Sequence, residues 1–158
     1  MSTRPFLFSA SFFLILLNAA SAQELKFNST TLKKTIEGAA PIASLKYETC
    51  FKKKKNQELS IDSVKSVADG KLIPFAIYKN TSTQKYAGTK IKRSEKGSFR
   101  LNFGIIQLLS DEHLPYSEDN RPVQYDMSKG INIYYTLAGK NKNSILTDFK
   151  ELPQEARP

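Results

Sequence analysis

The chain has 158 residues, with 24 Lys and Arg against 15 Asp and Glu and a formal net charge of +9, which describes one basic domain. A hydrophobic share of 40% and a charged share of 25% are ordinary for a globular protein and argue against wholesale disorder. One cysteine excludes an internal disulfide framework and a cysteine-rich zinc site, and one histidine excludes a two-histidine catalytic pair or a multi-histidine metal cage.

Residues 1–22 read as a cleaved signal peptide. Arg4 supplies the positive start, and residues 6–17 are apolar apart from Ser9 and Ser11. Ala20 and Ala22 then give the small-x-small pattern of a cleavage site before Gln23. The apolar run is well short of the roughly 20 residues that a spanning helix needs, so no membrane span is expected. Cleavage removes one basic charge and leaves 23 against 15, or +8, on residues 23–158. Secretion makes Asn28-Ser29-Thr30 and Asn80-Thr81-Ser82 candidate glycosylation sequons at Asn28 and Asn80. Cys50 has no partner within the chain, so stability is expected from packing, and the thiol reads either as a small buried hydrophobe in a monomer or as an exposed group able to pair with another chain.

Residues 23–44 form a polar segment with a short candidate helix at 31–37, closed by Gly38 and followed by Pro41. An apolar strand is expected at 42–51, and Lys52, Lys53, Lys54 and Lys55 then read as a solvated loop. Ser60 is placed as an N-cap. Ile61, Val64, Val67 and Ala68 recur at helical spacing, and Gly70 follows, which predicts an amphipathic helix over 60–69. Beyond Gly70 the period changes to two. Strands are expected at 73–79, 86–92 and 99–106, the last from the strict alternation of Phe99, Leu101, Phe103 and Ile105 with polar or small residues. Residues 110–122 form a polar loop that contains His113, Glu118 and Asp119. Two further strands, 122–127 and 131–137, are expected to be joined through Ser128-Lys129-Gly130 as a hairpin. The fold class predicted is therefore α+β: a short helix packed on a twisted antiparallel sheet, in one domain over 45–149, with a tail over 150–158.

The charge is unevenly placed. Lys52, Lys53, Lys54 and Lys55 form one group, and Lys90, Lys92 and Arg93 a second. Either can attach to phosphates, with Tyr86 or Tyr134 stacking on bases, and either can equally be a solubilising loop or a charged strand edge. Basic clusters of this kind also suit acidic wall polymers and anionic membranes. Tyr134 and Tyr135 fall on opposite faces of their strand, so one of the two packs in the core. His113 in the loop is read as solvated, because no base–nucleophile partner stands near it in sequence.

The order of elements resembles that of the small fungal guanyl-specific ribonucleases, and of the secreted ribonuclease-like effectors of powdery mildew fungi. Tyr47-Glu48-Thr49-Cys50 and the stretch 61–70 look like their cysteine element and helix. Residues 99–106, 116–126 and 130–139 look like their central strands and last hairpin. The resemblance implies a ribonuclease-like scaffold in a secreted virulence effector that binds host protein or RNA in or around host cells.

Several positions depart from the family pattern. Two residues rather than one separate Tyr47 from Cys50, and the second cysteine is absent. RNA cleavage through a cyclic phosphate needs a base and an acid. Asn102 stands where the family has its strand carboxylate, and Tyr135-Thr136-Leu137 where it has its hairpin histidine. Arg121 fills a cationic role at most. The expectation is a non-enzyme with no catalytic residue, no metal and no cofactor. Its expected anion-binding residues are Lys52, Lys53, Lys54, Lys55, Lys90, Lys92, Arg93, Arg121 and Tyr134. Two other classes remain. One is an extracellular basic module for acidic polysaccharide or a surface, which a sandwich without a packed helix favours. The other is a small nuclease or hydrolase, which needs His113 beside a carboxylate.

Overall fold

A computed structural model describes residues 24–37, 42–109 and 122–157, and all of its regular structure is strand. In chain order the strands are β1 (Thr30–Glu37), β2 (Ile42–Lys53), β3 (Leu59–Ser66), β4 (Phe75–Lys79), β5 (Lys90–Ile91), β6 (Gly97–Leu108), β7 (Ile131–Leu137), β8 (Lys140–Leu146), β9 (Phe149–Glu151) and β10 (Glu155–Arg157). They form two sheets. The six-stranded sheet runs β10-β1-β2-β6-β4, with β9 also paired to β1, and the four-stranded sheet runs β5-β3-β7-β8.

The two sheets bury one shared cluster. β2 contributes Leu45, Tyr47 and Phe51, and β6 contributes Phe99, Leu101, Phe103 and Ile105. From the other sheet come Leu59, Ile61 and Val64 of β3, with Ile131, Ile133, Tyr135 and Leu137 of β7. The period-two pattern of β6 and β7 explains this directly, since alternate side chains meet on one face and each fully buried aliphatic contributes about 1.5–3 kcal/mol. Opposing residues of β2 and β6 stack in pairs. Tyr47 lies on Phe103 at 5.2 Å and Phe51 on Phe99 at 5.8 Å. Burial pushes the Tyr47 phenol up to about 12, and the Glu151 carboxylate adds to the shift. The segment before β1 is part of the same core. Leu25 is buried and its N–H donates to the Tyr135 hydroxyl at 3.1 Å, while Phe27 packs edge-on against Phe51.

The structure therefore corrects the α+β expectation. Residues 60–69 are β3 and the turn after it, not a helix on a sheet. The physical reason is a β-bulge. Between Ile61 and Ser63 the register against β7 slips by one residue, so Ile61 and Val64 both face the core although they are three apart. That spacing mimics a helical stripe. Gly70, at φ +70, closes a turn in which its N–H donates to the Ser66 carbonyl, rather than ending a helix. The candidate helix at 31–37 is likewise strand β1, rich in β-branched threonine and paired along its length with β2.

Other boundaries also move. The stretch 122–127 is unpaired, so the hairpin through Ser128-Lys129-Gly130 does not form. The hairpin is instead β7–β8, turned by Ala138 (φ 51) and Gly139 (φ 78) in the doubly left-handed conformation that matches strand twist. The 86–92 expectation shrinks to the two residues of β5. The stretch expected as a tail carries β9 and β10, both parallel to β1. The signal segment 1–22, the loop 110–121, Arg121, His113, Glu118 and Asp119 lie outside the described residues. Among the described residues no helix is long and apolar enough to cross a membrane. Cys50 is a free, half-buried thiol on β2.

Candidate anion-binding site

The basic groups separated in sequence meet at one end of the sandwich. β2, β4 and β7 finish there, and β3, β6 and β8 begin there, as the pairs Lys53↔Gly97, Lys79↔Phe99, Leu59↔Leu137 and Leu137↔Lys140 require. Two turns are locked together by backbone bonds. The N–H of Asn56 donates to the Arg93 carbonyl at 3.0 Å, which sets the turn after Lys52–Lys55 against the turn of Lys92 and Arg93. Glu95 shapes that second turn, accepting from the Lys92 N–H at 2.9 Å while its own N–H donates to the Lys92 carbonyl at 3.1 Å.

Lys53 holds this end together. It is only 4% exposed. Its Nζ donates to the Lys92 carbonyl at 2.8 Å, to the Lys54 carbonyl at 3.3 Å, and to the Glu95 carbonyl. Burial lowers its pKa, and the Glu95 carboxylate opposes that shift. Of the four consecutive lysines, Lys53 therefore serves the fold, while Lys52, Lys54 and Lys55 are exposed.

Beside them lies a shallow cleft of about 360 Å³, lined by Lys79, Lys85, Tyr86, Ala87, Lys90, Lys92 and Glu95. The link from β4 shapes it. The Lys79 N–H donates to the Lys85 carbonyl at 2.8 Å and the Ala87 N–H to the Ile77 carbonyl at 2.9 Å, folding residues 80–87 back along β4. Tyr86 is 61% exposed, and its ring meets Tyr78 edge-on at 5.9 Å, which fixes its orientation. An exposed ring among four lysines supports an apolar ring face and the anions on either side of it. Lys96 and Lys140 add to the same end, which also carries acids, Glu58 and Glu95 among them. The described residues of the opposite end include paired charges. There the Asp69 carboxylate accepts from the N–H of Lys71 and of Asp126 and pairs with the Lys71 ammonium at 3.1 Å.

The structure thus joins Lys52, Lys54, Lys55, Lys90, Lys92 and Arg93 with Tyr86, and adds Lys79 and Lys85 as cleft residues. Lys79 and Lys85 flank the Asn80-Thr81-Ser82 turn, and that flanking was the sequence signal for their meeting. Tyr134 is elsewhere. It sits mid-strand on the outer face of the four-stranded sheet, 39% exposed, with Lys65 Nζ 5.4 Å from its ring centroid. Asn28 and Asn80 are both exposed, and the Asn80 Oδ1 accepts from Arg100 at 3.3 Å.

The two positions aligned with a ribonuclease acid–base pair do not face each other. Asn102 is on the outer face of the six-stranded sheet, whereas Tyr135 and Leu137 are buried in the core and Thr136 is on the outer face of the other sheet, bonded to Asp62 at 2.9 Å. Opposite sides of a sandwich cannot grip one phosphate. Among the described residues no group of three or more His, Cys, Asp or Glu stands close enough to hold a metal ion. Comparison with known proteins finds no matching family, no matching curated protein and no matching solved structure.

Proposed function

We propose that this chain is an exported binding module for a polyanion, an acidic polysaccharide in class, held at the basic end of the sandwich. The observation that carries the reading is the convergence of Lys79, Lys85, Lys90 and Lys92 around the exposed Tyr86, with Lys54, Lys55 and Arg93 on the adjoining turns. Six of these seven cations being lysine matters chemically. Ammonium groups are point charges without the planar fork that reads base edges, so they suit a repeated carboxylate or sulfate rather than a base sequence. Tyr86 offers one apolar ring face to a sugar. Export rests on the sequence of residues 1–22. The host-effector role expected from the resemblance retains that segment and the basic surface as support, but not the helix, which is strand β3.

The test is a titration of the purified protein with polygalacturonate at low salt. Wild type binds, and a variant carrying Lys85→Gln, Lys90→Gln and Lys92→Gln binds at least tenfold more weakly with an unchanged unfolding midpoint. Equal affinity of the two proteins contradicts the reading.

A further inference from the structure

The outer face of the six-stranded sheet carries a larger cleft, of about 610 Å³, four residues along β6 from the basic end. Cross-strand register builds it row by row. Thr31, Glu48, Asn102 and Ala76 lie side by side, and Lys33, Lys46 and Gly104 form the next row. Gly104 has no side chain to fill the floor, and Pro74 closes the wall. Asn102 is the unusual member. Its Oδ1 is shielded from solvent and has no hydrogen-bond partner in the protein. A buried acceptor left in this state is destabilising unless a ligand donor reaches it. Between this cleft and the basic end lie Arg100, tied to Glu48 at 3.3 Å, and the exposed Lys52.

We propose that the polyanion gripped at the basic end continues along β2 and β6 into this cleft, and that it is a uronate-type polysaccharide. A sugar hydroxyl donates to Asn102 Oδ1 while a carboxylate of the chain meets Lys46. This inference rests on the polyanion reading and narrows it. Polyphosphate and simple polyacids carry charge but no hydroxyl donor, so they satisfy the lysines and leave Asn102 unpartnered. A uronate carries both at every unit, and the C–H face of its ring fits a floor of Ala76 and Gly104. RNA also offers a 2′-hydroxyl, but the aromatic residues that line this cleft, Tyr47, Phe75 and Phe103, all pack against the core, with Tyr47 and Phe103 stacked on each other and only 3% exposed, so an unstacked base finds no platform. At about 3.3 Å per residue the span from Ser98 to Asn102 is about 13 Å, within reach of a short oligosaccharide.

The experiment compares polygalacturonate, polyphosphate and poly(U) against wild type, Asn102→Leu and Lys46→Gln. Asn102→Leu removes the acceptor at nearly constant volume, and thermal unfolding checks that both variants fold. The expected result is a five- to tenfold loss for polygalacturonate in each variant, the worth of one hydrogen bond of about 1 kcal/mol or slightly more, with polyphosphate unchanged by Asn102→Leu. Equal losses for polygalacturonate and polyphosphate in Asn102→Leu, or no loss for either, overturn the cleft assignment while leaving the basic end intact. A loss confined to poly(U) replaces the sugar with RNA and also overturns it. Failure of wild type to bind any of the three removes the underlying polyanion reading as well.

Discussion

Replacing Lys53 by methionine separates a structural lysine from its three neighbours. The side chain keeps nearly its length but loses the ammonium, and with it the donations to the carbonyls of Lys54, Lys92 and Glu95. A hydrogen bond from a charged donor is worth about 1.5–3 kcal/mol, and a buried carbonyl stripped of its donor costs about 1–3 kcal/mol. Against this stands the cost of burying the charge, visible in the lowered pKa of Lys53. The Lys92 carbonyl also keeps its bond from the Glu95 N–H, so it is not orphaned. The net expectation is a loss of about 2–4 kcal/mol, with Tm falling by roughly 10 °C for a domain of this size. Lys52→Met, Lys54→Met and Lys55→Met, at exposed positions, each change stability by less than about 0.5 kcal/mol. Urea unfolding followed by far-UV circular dichroism gives all four values under one condition. A Lys53→Met variant as stable as the other three, or more stable than wild type, refutes the clamp, because burying a methionine there is then at least as favourable as the bonded ammonium.

Tyr47 predicts an alkaline weakness. Its phenol holds its proton up to about 12 in the fold but loses it near 10.0 when unfolded, so between these values the native state binds more protons and stability falls as pH rises. The full displacement corresponds to about 3 kcal/mol, and the Tyr47→Phe variant loses less stability than wild type when denaturant melts at pH 9 and pH 11 are compared. Gly130→Ala is strongly destabilising, because φ is +88 there and an added Cβ runs into the Leu146 backbone carbonyl at the end of β8. The same substitution at Gly139 (φ +78, open space around a Cβ) costs much less, and thermal melts of the two variants rank them. Polyanion affinity falls with salt, and the slope of log K against log[salt] is shallower for the variant lacking Lys85, Lys90 and Lys92 than for wild type.

The strands β2, β6 and β7 were legible because each buries one face against a partner of matching period, so Phe99, Leu101 and Phe103, or Ile131, Ile133 and Tyr135, alternate in plain sight. β3 was not, because its bulge places Ile61 and Val64 three apart and counterfeits a helical face. β8 was hidden for a different reason. It is an edge strand whose lysines and asparagines protect a free edge, and that composition reads as loop. β9 and β10 are three residues each and owe their existence to pairing with β1, a tertiary fact with no local signature. For the site, charge clustering revealed Lys90, Lys92 and Arg93. The burial of Lys53 was invisible, since nothing in four identical residues says which one turns inward. Strand alternation from Phe51 now accounts for it.

The most direct test of the account is an amide-resolved chemical-shift titration with polygalacturonate. The largest shifts are expected at residues 52–56 and 79–97, with a second group at 46–48 and 102–104. Shifts concentrated on the turns at 67–72 and 124–130, or spread evenly over both ends of the sandwich, contradict it.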